Sequence, residues 1–134
     1  MTPQQIELVQ STWRQVMPIR AQAGALFYQR LFSENPQLRD MFPADIAPQA
    51  AKLMGMLHTA VNALTDLDTA APLLRELGRR HVAYGVRSEH YAPVGAALLW
   101  TLEQGLGEAF TDPVRDAWTA AYTLVARTMQ DGAA

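Results

Sequence analysis

The chain has 134 residues, a formal charge of −2, 49% hydrophobic residues and no cysteine. A length of this order suits a single domain over 1–134, and the apolar content with near-neutral charge excludes a disordered chain. Without thiols there are no disulfides, zinc ribbons, iron–sulfur clusters, cysteine nucleophiles or thioether-linked prosthetic groups; the mild acidity argues against non-specific nucleic-acid binding, and no apolar run reaches the roughly 18 residues of a membrane span.

The N-terminus, MTPQQIELVQ, lacks the basic and apolar regions of a secretory signal, so a cytoplasmic protein is expected. Thr2 and Gln5 have capping-box spacing, and Pro3 suits the first helical position. Ile6, Val9, Trp13, Val16 and Met17 then recur at helical spacing until Pro18 interrupts. A second helix carries Ala23, Leu26, Phe27 and Leu31 and ends near Asn35 and Pro36. Pro36 opens a short turn through Leu38 to Phe42, which Pro43 ends. The third helix starts around Pro48 and carries Leu53, Met54, Leu57, Val61 and Leu64. Thr69 is the expected cap of a fourth, with Pro72 in its first turn, Leu73, Leu74, Leu77 and His81 facing inward, and Gly85 as terminator. Ser88 opens a long helix with Tyr91, Val94, Leu98, Leu102 and Leu106 on one side, weakened at Gly107. Thr111, Asp112 and Pro113 start the last helix, which carries Val114, Trp118, Tyr122, Val125 and Met129. The expected fold class is all-α. Periodicity alone leaves a bundle and an orthogonal packing both open.

The chemistry-bearing residues are few. There are three histidines, His58, His81 and His90, and no HExxH motif. His81 follows Leu74 and Leu77 on one apolar face, with Arg79 and Arg80 directed away. A buried imidazole must satisfy both nitrogens; a metal on one and a carbonyl on the other is one solution, and a core histidine bonded within the protein is the alternative. His58 falls off its helix's apolar stripe and reads as surface, as does His90 beside Glu89. Tyr28, next to Phe27, and Gln49, one turn before Leu53, are polar residues where apolar ones are expected. Tyr28 reads equally as a hydroxyl pointing inward or as a core tyrosine with a wet hydroxyl, and Gln49 as an inward side chain or a solvated one near a helix start. Phe42 reads as a turn anchor. Asp66, Asp68, Glu103 and Glu108 form no catalytic set. No phosphate loop or nucleophile elbow is present, which argues against a hydrolase or nucleotide-binding enzyme.

The ordered set Trp13, Tyr28, Pro36, Phe42, Gln49, Leu53, His81, Tyr91 and Trp118 resembles globins of the bacterial single-domain and flavohaemoglobin type. The runs LFYQRLFSENPQLRDMF, LGRRHVAYGV, EHYAPVGAALLWTLEQGLG and DAWTAAYTLVA carry the likeness, which covers essentially the whole chain. The resemblance implies a three-over-three helical sandwich holding one non-covalent haem b. His81 matches the proximal iron ligand, Phe42 the aromatic packed on the haem face, and Pro36 the proline opening helix C. Tyr28 and Gln49 match the distal hydrogen-bond donors, and Leu53 the apolar residue over the iron. Tyr91 matches a tyrosine whose hydroxyl reaches the proximal side. Leu57, Leu77 and Val94 complete the expected cofactor-binding set.

Two departures from the family pattern matter. The glutamate that flavohaemoglobins place near the proximal histidine has no counterpart, since the last helix runs out as MQDGAA; Asp131 is nearby but not at the matching place. No flavin or nicotinamide domain follows, so redox turnover is expected to need an external reductase. The implied function is reversible dioxygen binding at a penta-coordinate ferrous haem, for transport, storage or scavenging. Conversion of nitric oxide to nitrate is the enzymatic alternative, and a signalling module, with or without haem, is the alternative of another class.

Overall fold

The computed structural model describes residues 1–133. Six α-helices make up the molecule: α1 (Pro3–Val16), α2 (Arg20–Glu34), α3 (Ala47–Asn62), α4 (Leu67–Ala83), α5 (Tyr91–Leu106) and α6 (Asp112–Ala133). Short 3₁₀ turns join them, and there is no strand among the described residues. The order and punctuation follow the prolines and glycines. Thr2 and Gln5 form the reciprocal capping box, each side chain receiving the other's backbone N–H at 3.1 Å. Pro18 sits in the Met17–Ile19 turn, and Pro36 opens the Pro36–Met41 turn.

Helices α1, α3 and α4 form one layer and α2, α5 and α6 the other. Across the layers α4 and α1 pack on α6, α2 packs on α3, and α1 meets α5; within them α2 packs on α5, α5 on α6 and α1 on α3. This is the expected three-over-three arrangement. Val9, Trp13, Val16, Leu31 and Leu102 are the largest fully buried side chains. Trp13 and Trp118 lie 6.0 Å apart at its centre. Polar groups there are satisfied: the Trp118 indole donates to Thr12 Oγ1 at 2.9 Å, and that hydroxyl donates to the Leu8 carbonyl at 2.7 Å.

The start of α4 differs from the sequence expectation. It begins at Leu67 with Asp66 as cap residue, and Thr69 lies inside it. The preceding 3₁₀ turn, Ala63–Thr65, feeds straight into the helix, and the Ala70 N–H reaches the Asp66 carbonyl at 3.2 Å. Pro72 is therefore interior. The bond its missing N–H omits is to Asp68, and both residues are exposed, so water can serve that carbonyl. Leu73 is 54% exposed and not inward. α4 packs mainly against α6 and the Ala63–Thr65 turn, and its buried residues are Leu74 and Gly78. His90 also departs from expectation: it is half-buried, and its Nδ1 accepts the Arg87 N–H at 2.9 Å.

Candidate functional site

The end of α4 holds His81 in a defined pose. Its Nδ1 lies 2.8 Å from the Leu77 carbonyl, one turn earlier on the same helix. A carbonyl can only accept, so Nδ1 carries the proton and Nε2 keeps its lone pair. Just beyond, Val86 N–H donates to the His81 carbonyl at 2.9 Å and Gly85 N–H to the Val82 carbonyl at 3.0 Å. With Gly85 at φ 90°, this is a Schellman closure whose outer bond ends on His81 itself. Glycine is required there because a Cβ disfavours that backbone region. The flank of α4 bearing Leu77 and His81 is half-buried, and Tyr84 at its end is exposed. The Tyr84 ring, 68% exposed, tilts toward the His81 ring at 6.1 Å.

A separate cluster, on α2 and the turn that follows it, is an aromatic wall. Tyr28, 3% exposed, meets Phe27 edge-on at 4.9 Å, Phe42 at 5.4 Å and Phe32 at 5.7 Å, and Phe32 meets Phe42 at 5.4 Å. Burial raises the Tyr28 phenol pKa, and a hydrogen bond with the Gln49 side chain opposes that shift. The phenol is therefore protonated at neutral pH and beside Gln49, as their positions on α2 and α3 imply. Leu53 and Leu57 are half-buried on α3 and border a void of about 10 Å³ with Trp13, Phe27, Met54 and Leu98. Too small for more than one water, it is apolar and dry in character.

Tyr91 and Val94 are half-buried at the start of α5. The hydrogen bond at this corner comes from a different tyrosine than expected. Tyr122 Oη donates to the Tyr91 backbone carbonyl at 2.6 Å, while the Tyr91 side chain borders a groove of about 410 Å³ with Tyr122, Arg127, Gln130 and Asp131. Gly95 makes room for Tyr122, since a Cβ there would lie 2.7 Å from its ring. Asp131 thus shares a groove with both tyrosines, but the partner of His81 Nδ1 is the Leu77 carbonyl.

His58 is exposed on α3, as expected, yet engaged. The buried Trp13 indole donates to its Nδ1 at 3.1 Å, and Asn62 lies 3.1 Å from its Nε2. Two site residues escaped the sequence reading. Phe32 is one turn beyond Tyr28 and completes the aromatic wall; that four-residue step was the available signal. Arg39 binds the carbonyls of Pro43 at 3.0 Å and Ala44 at 2.8 Å while lying 5.0 Å over the Phe32 ring. It clamps the turn that presents Phe42, and no spacing rule singles out an arginine in a polar turn.

The family model "Globin" matches residues 25–129. Neuroglobin of Chaenocephalus aceratus is 31% identical over 94% of this chain and 88% of its own length, and neuroglobin of Danio rerio 32% identical over 93% and 87%. Among solved structures, a hexacoordinated haem protein from an anhydrobiotic tardigrade superposes with a TM-score of 0.90 at 17% identity, covering 99% of this chain and 95% of that one. A bacterial globin from Campylobacter jejuni does so with 0.87 at 23% identity, covering 98% and 96%. With the family model spanning residues 25–129 and relatives above 30% identity over nearly the whole chain, the chain belongs to the globin family, whose members bind haem and diatomic gases.

Proposed function

We propose that this globin binds dioxygen reversibly on a non-covalent haem b whose iron is held by His81 and left open on the opposite face. The observation that carries the proposal is the His81 Nδ1–H to Leu77 carbonyl bond of 2.8 Å, which leaves Nε2 as the ring nitrogen available to a metal. The residues fit the group: a neutral imidazole on one side, Leu53, Leu57, Leu77, Phe42 and Val94 as apolar walls, and two polar donors opposite. Haem supplies an iron centre that takes a diatomic gas and moves negative charge onto it. Tyr28, protonated because it is buried, offers an O–H toward such a charge, and Gln49 offers an N–H. Leu53 and Phe42 exclude water, which strengthens both donors and slows loss of the reduced state.

An open sixth position agrees with where the other histidines are engaged. His58 Nδ1 accepts from Trp13 and His90 Nδ1 from the Arg87 backbone. Both rings are thus held by partners within the protein. The purified, haem-loaded protein is expected to show a Soret band that His81→Ala abolishes or shifts, and a ferrous spectrum of a five-coordinate centre. A six-coordinate ferrous spectrum would overturn the open-site reading.

A second reading is favoured by the paired donors at Tyr28 and Gln49. Nitric oxide, dioxygen and one electron combine to nitrate, and donors aimed at developing negative charge on oxygen serve that reaction as well as binding. Turnover would draw its electron from a separate reductase. The neutral carbonyl on His81 Nδ1 pushes less electron density to the iron than a carboxylate would, and this favours binding over turnover. Mixing the oxygenated protein with nitric oxide in stopped flow tests the chemical step. Sustained nitric oxide consumption with a flavin reductase tests the cycle, and its absence leaves a binding protein.

A further inference from the structure

Helix α4 carries His81 and is held chiefly by α6. Two glycines bring α4 and α6 into backbone contact. A Cβ built on Gly78 would overlap the carbonyl oxygen of Met129, and one on Gly132 would overlap the carbonyl oxygen of Arg75. Arg75 and Gly78 are three residues apart on α4, as Met129 and Gly132 are on α6. The contact is therefore reciprocal and two-point, and it sets both the spacing and the rotation of α4. The obstacles are backbone atoms, which cannot turn aside as a side chain can. Any larger residue must move the helix.

Gly78 and His81 are three residues apart, so their directions differ by about 60° around the helix axis. Pushing α4 off α6 therefore carries His81 away from α6 as well. The Leu77 carbonyl moves with it, being on the same helix, so the Nδ1 bond survives the shift. The glycines thus govern where Nε2 lies without altering the proton state of the ring. We propose that Gly78 and Gly132 are positioning residues for His81: by letting α4 sit against α6 at backbone contact, they set the strain in the histidine–iron bond and through it the ligand affinity. The proposal rests on the reading of His81 as the iron ligand.

The test compares Gly78→Ala and Gly132→Ala with Gly55→Ala in the haem-loaded full chain. A Cβ at Gly55 meets nothing within 4 Å, so that variant adds the same methyl to an open helix face. The ferrous, ligand-free histidine–iron stretching band and the rate of haem loss are measured. Gly78→Ala is expected to keep a full Soret band, to displace or broaden the stretching band, and to lose haem about 10-fold faster or more. Gly132→Ala should do the same, and Gly55→Ala should match the parent. A parent-like band and parent-like haem loss in folded Gly78→Ala overturn the inference. Should that variant not fold, Gly132→Ala decides by the same criteria. Failure of both to fold also overturns it, because the glycines would then serve folding and not the placement of His81. A parent protein with no histidine–iron band instead sinks the His81 reading itself, a separable outcome.

Discussion

Burial of a phenol raises its pKa, and three tyrosines of this protein share that direction. Tyr28 and Tyr91 are raised by burial, the former opposed by Gln49, and Tyr122 is raised by burial with Tyr91 adding to it. The sign of the linkage follows. In the unfolded chain each phenol ionises near pH 10, and in the folded protein later, so their stabilisation is complete below about pH 10 and is lost as pH rises above it. Alkaline unfolding is expected to begin there. In Tyr122→Phe stability should fall less steeply with pH in that range. For Tyr28 the same burial keeps the O–H as a donor at neutral pH. Tyr28→Phe should raise the oxygen off-rate by about 10-fold, the equivalent of roughly 1.4 kcal/mol within the range of a buried hydrogen bond; an unchanged off-rate in stopped-flow displacement would remove Tyr28 from the site. Thr12 acts at the same scale without touching the pocket. Thr12→Val leaves the Trp118 indole N–H unpaired at the core and should cost about 1–3 kcal/mol in denaturant unfolding.

At the scale of elements, the decisive piece is the end of α4. The Schellman closure places two backbone bonds and one left-handed glycine directly after His81. Gly85→Ala forces a Cβ into that conformation and should destabilise by about 1–2 kcal/mol, with faster amide exchange at Gly85 and Val86 than in the parent. Gly85 was readable in the sequence as a terminator. That its closure is a Schellman pair, with the Val86 N–H on the His81 carbonyl, was not, since a terminal glycine also closes helices through a single αL bond. The start of α4 shows the opposite case. Thr69 and Pro72 form a plausible cap and first turn, yet the preceding 3₁₀ turn extends the helix back to Leu67. Local signals lost there because neighbouring backbone bonds were already available.

Across the whole molecule, α4 stands apart from the rest. The α1, α2, α5 and α6 contacts build a close-packed core around Trp13 and Trp118, whereas α4 leans chiefly on α6. Leu102, 2% exposed within that core, should cost about 2–5 kcal/mol when cut to alanine. Any cofactor held between α3 and α4 binds the folded state alone, so it adds stability through mass action. Haem loading should raise the thermal midpoint of the parent and leave that of His81→Ala nearly unchanged, a difference that calorimetry reads directly.

The sequence by itself determined the helical class, the element order and the identity of His81, Tyr28, Gln49, Phe42 and Leu53 as residues to watch. The class and element order follow from periodicity and from proline and glycine punctuation; the five residues stand out through the family resemblance that their order along the chain carries. Only the tertiary structure decided which tautomer His81 adopts, that His58 is bound to Trp13, that Arg39 clamps the Phe42 turn, and that glycines on α4 and α6 meet at backbone contact. Each of these depends on groups far apart in sequence or on the exact register of a helix end. No pattern along the chain encodes which backbone atoms will share the same few ångströms of space.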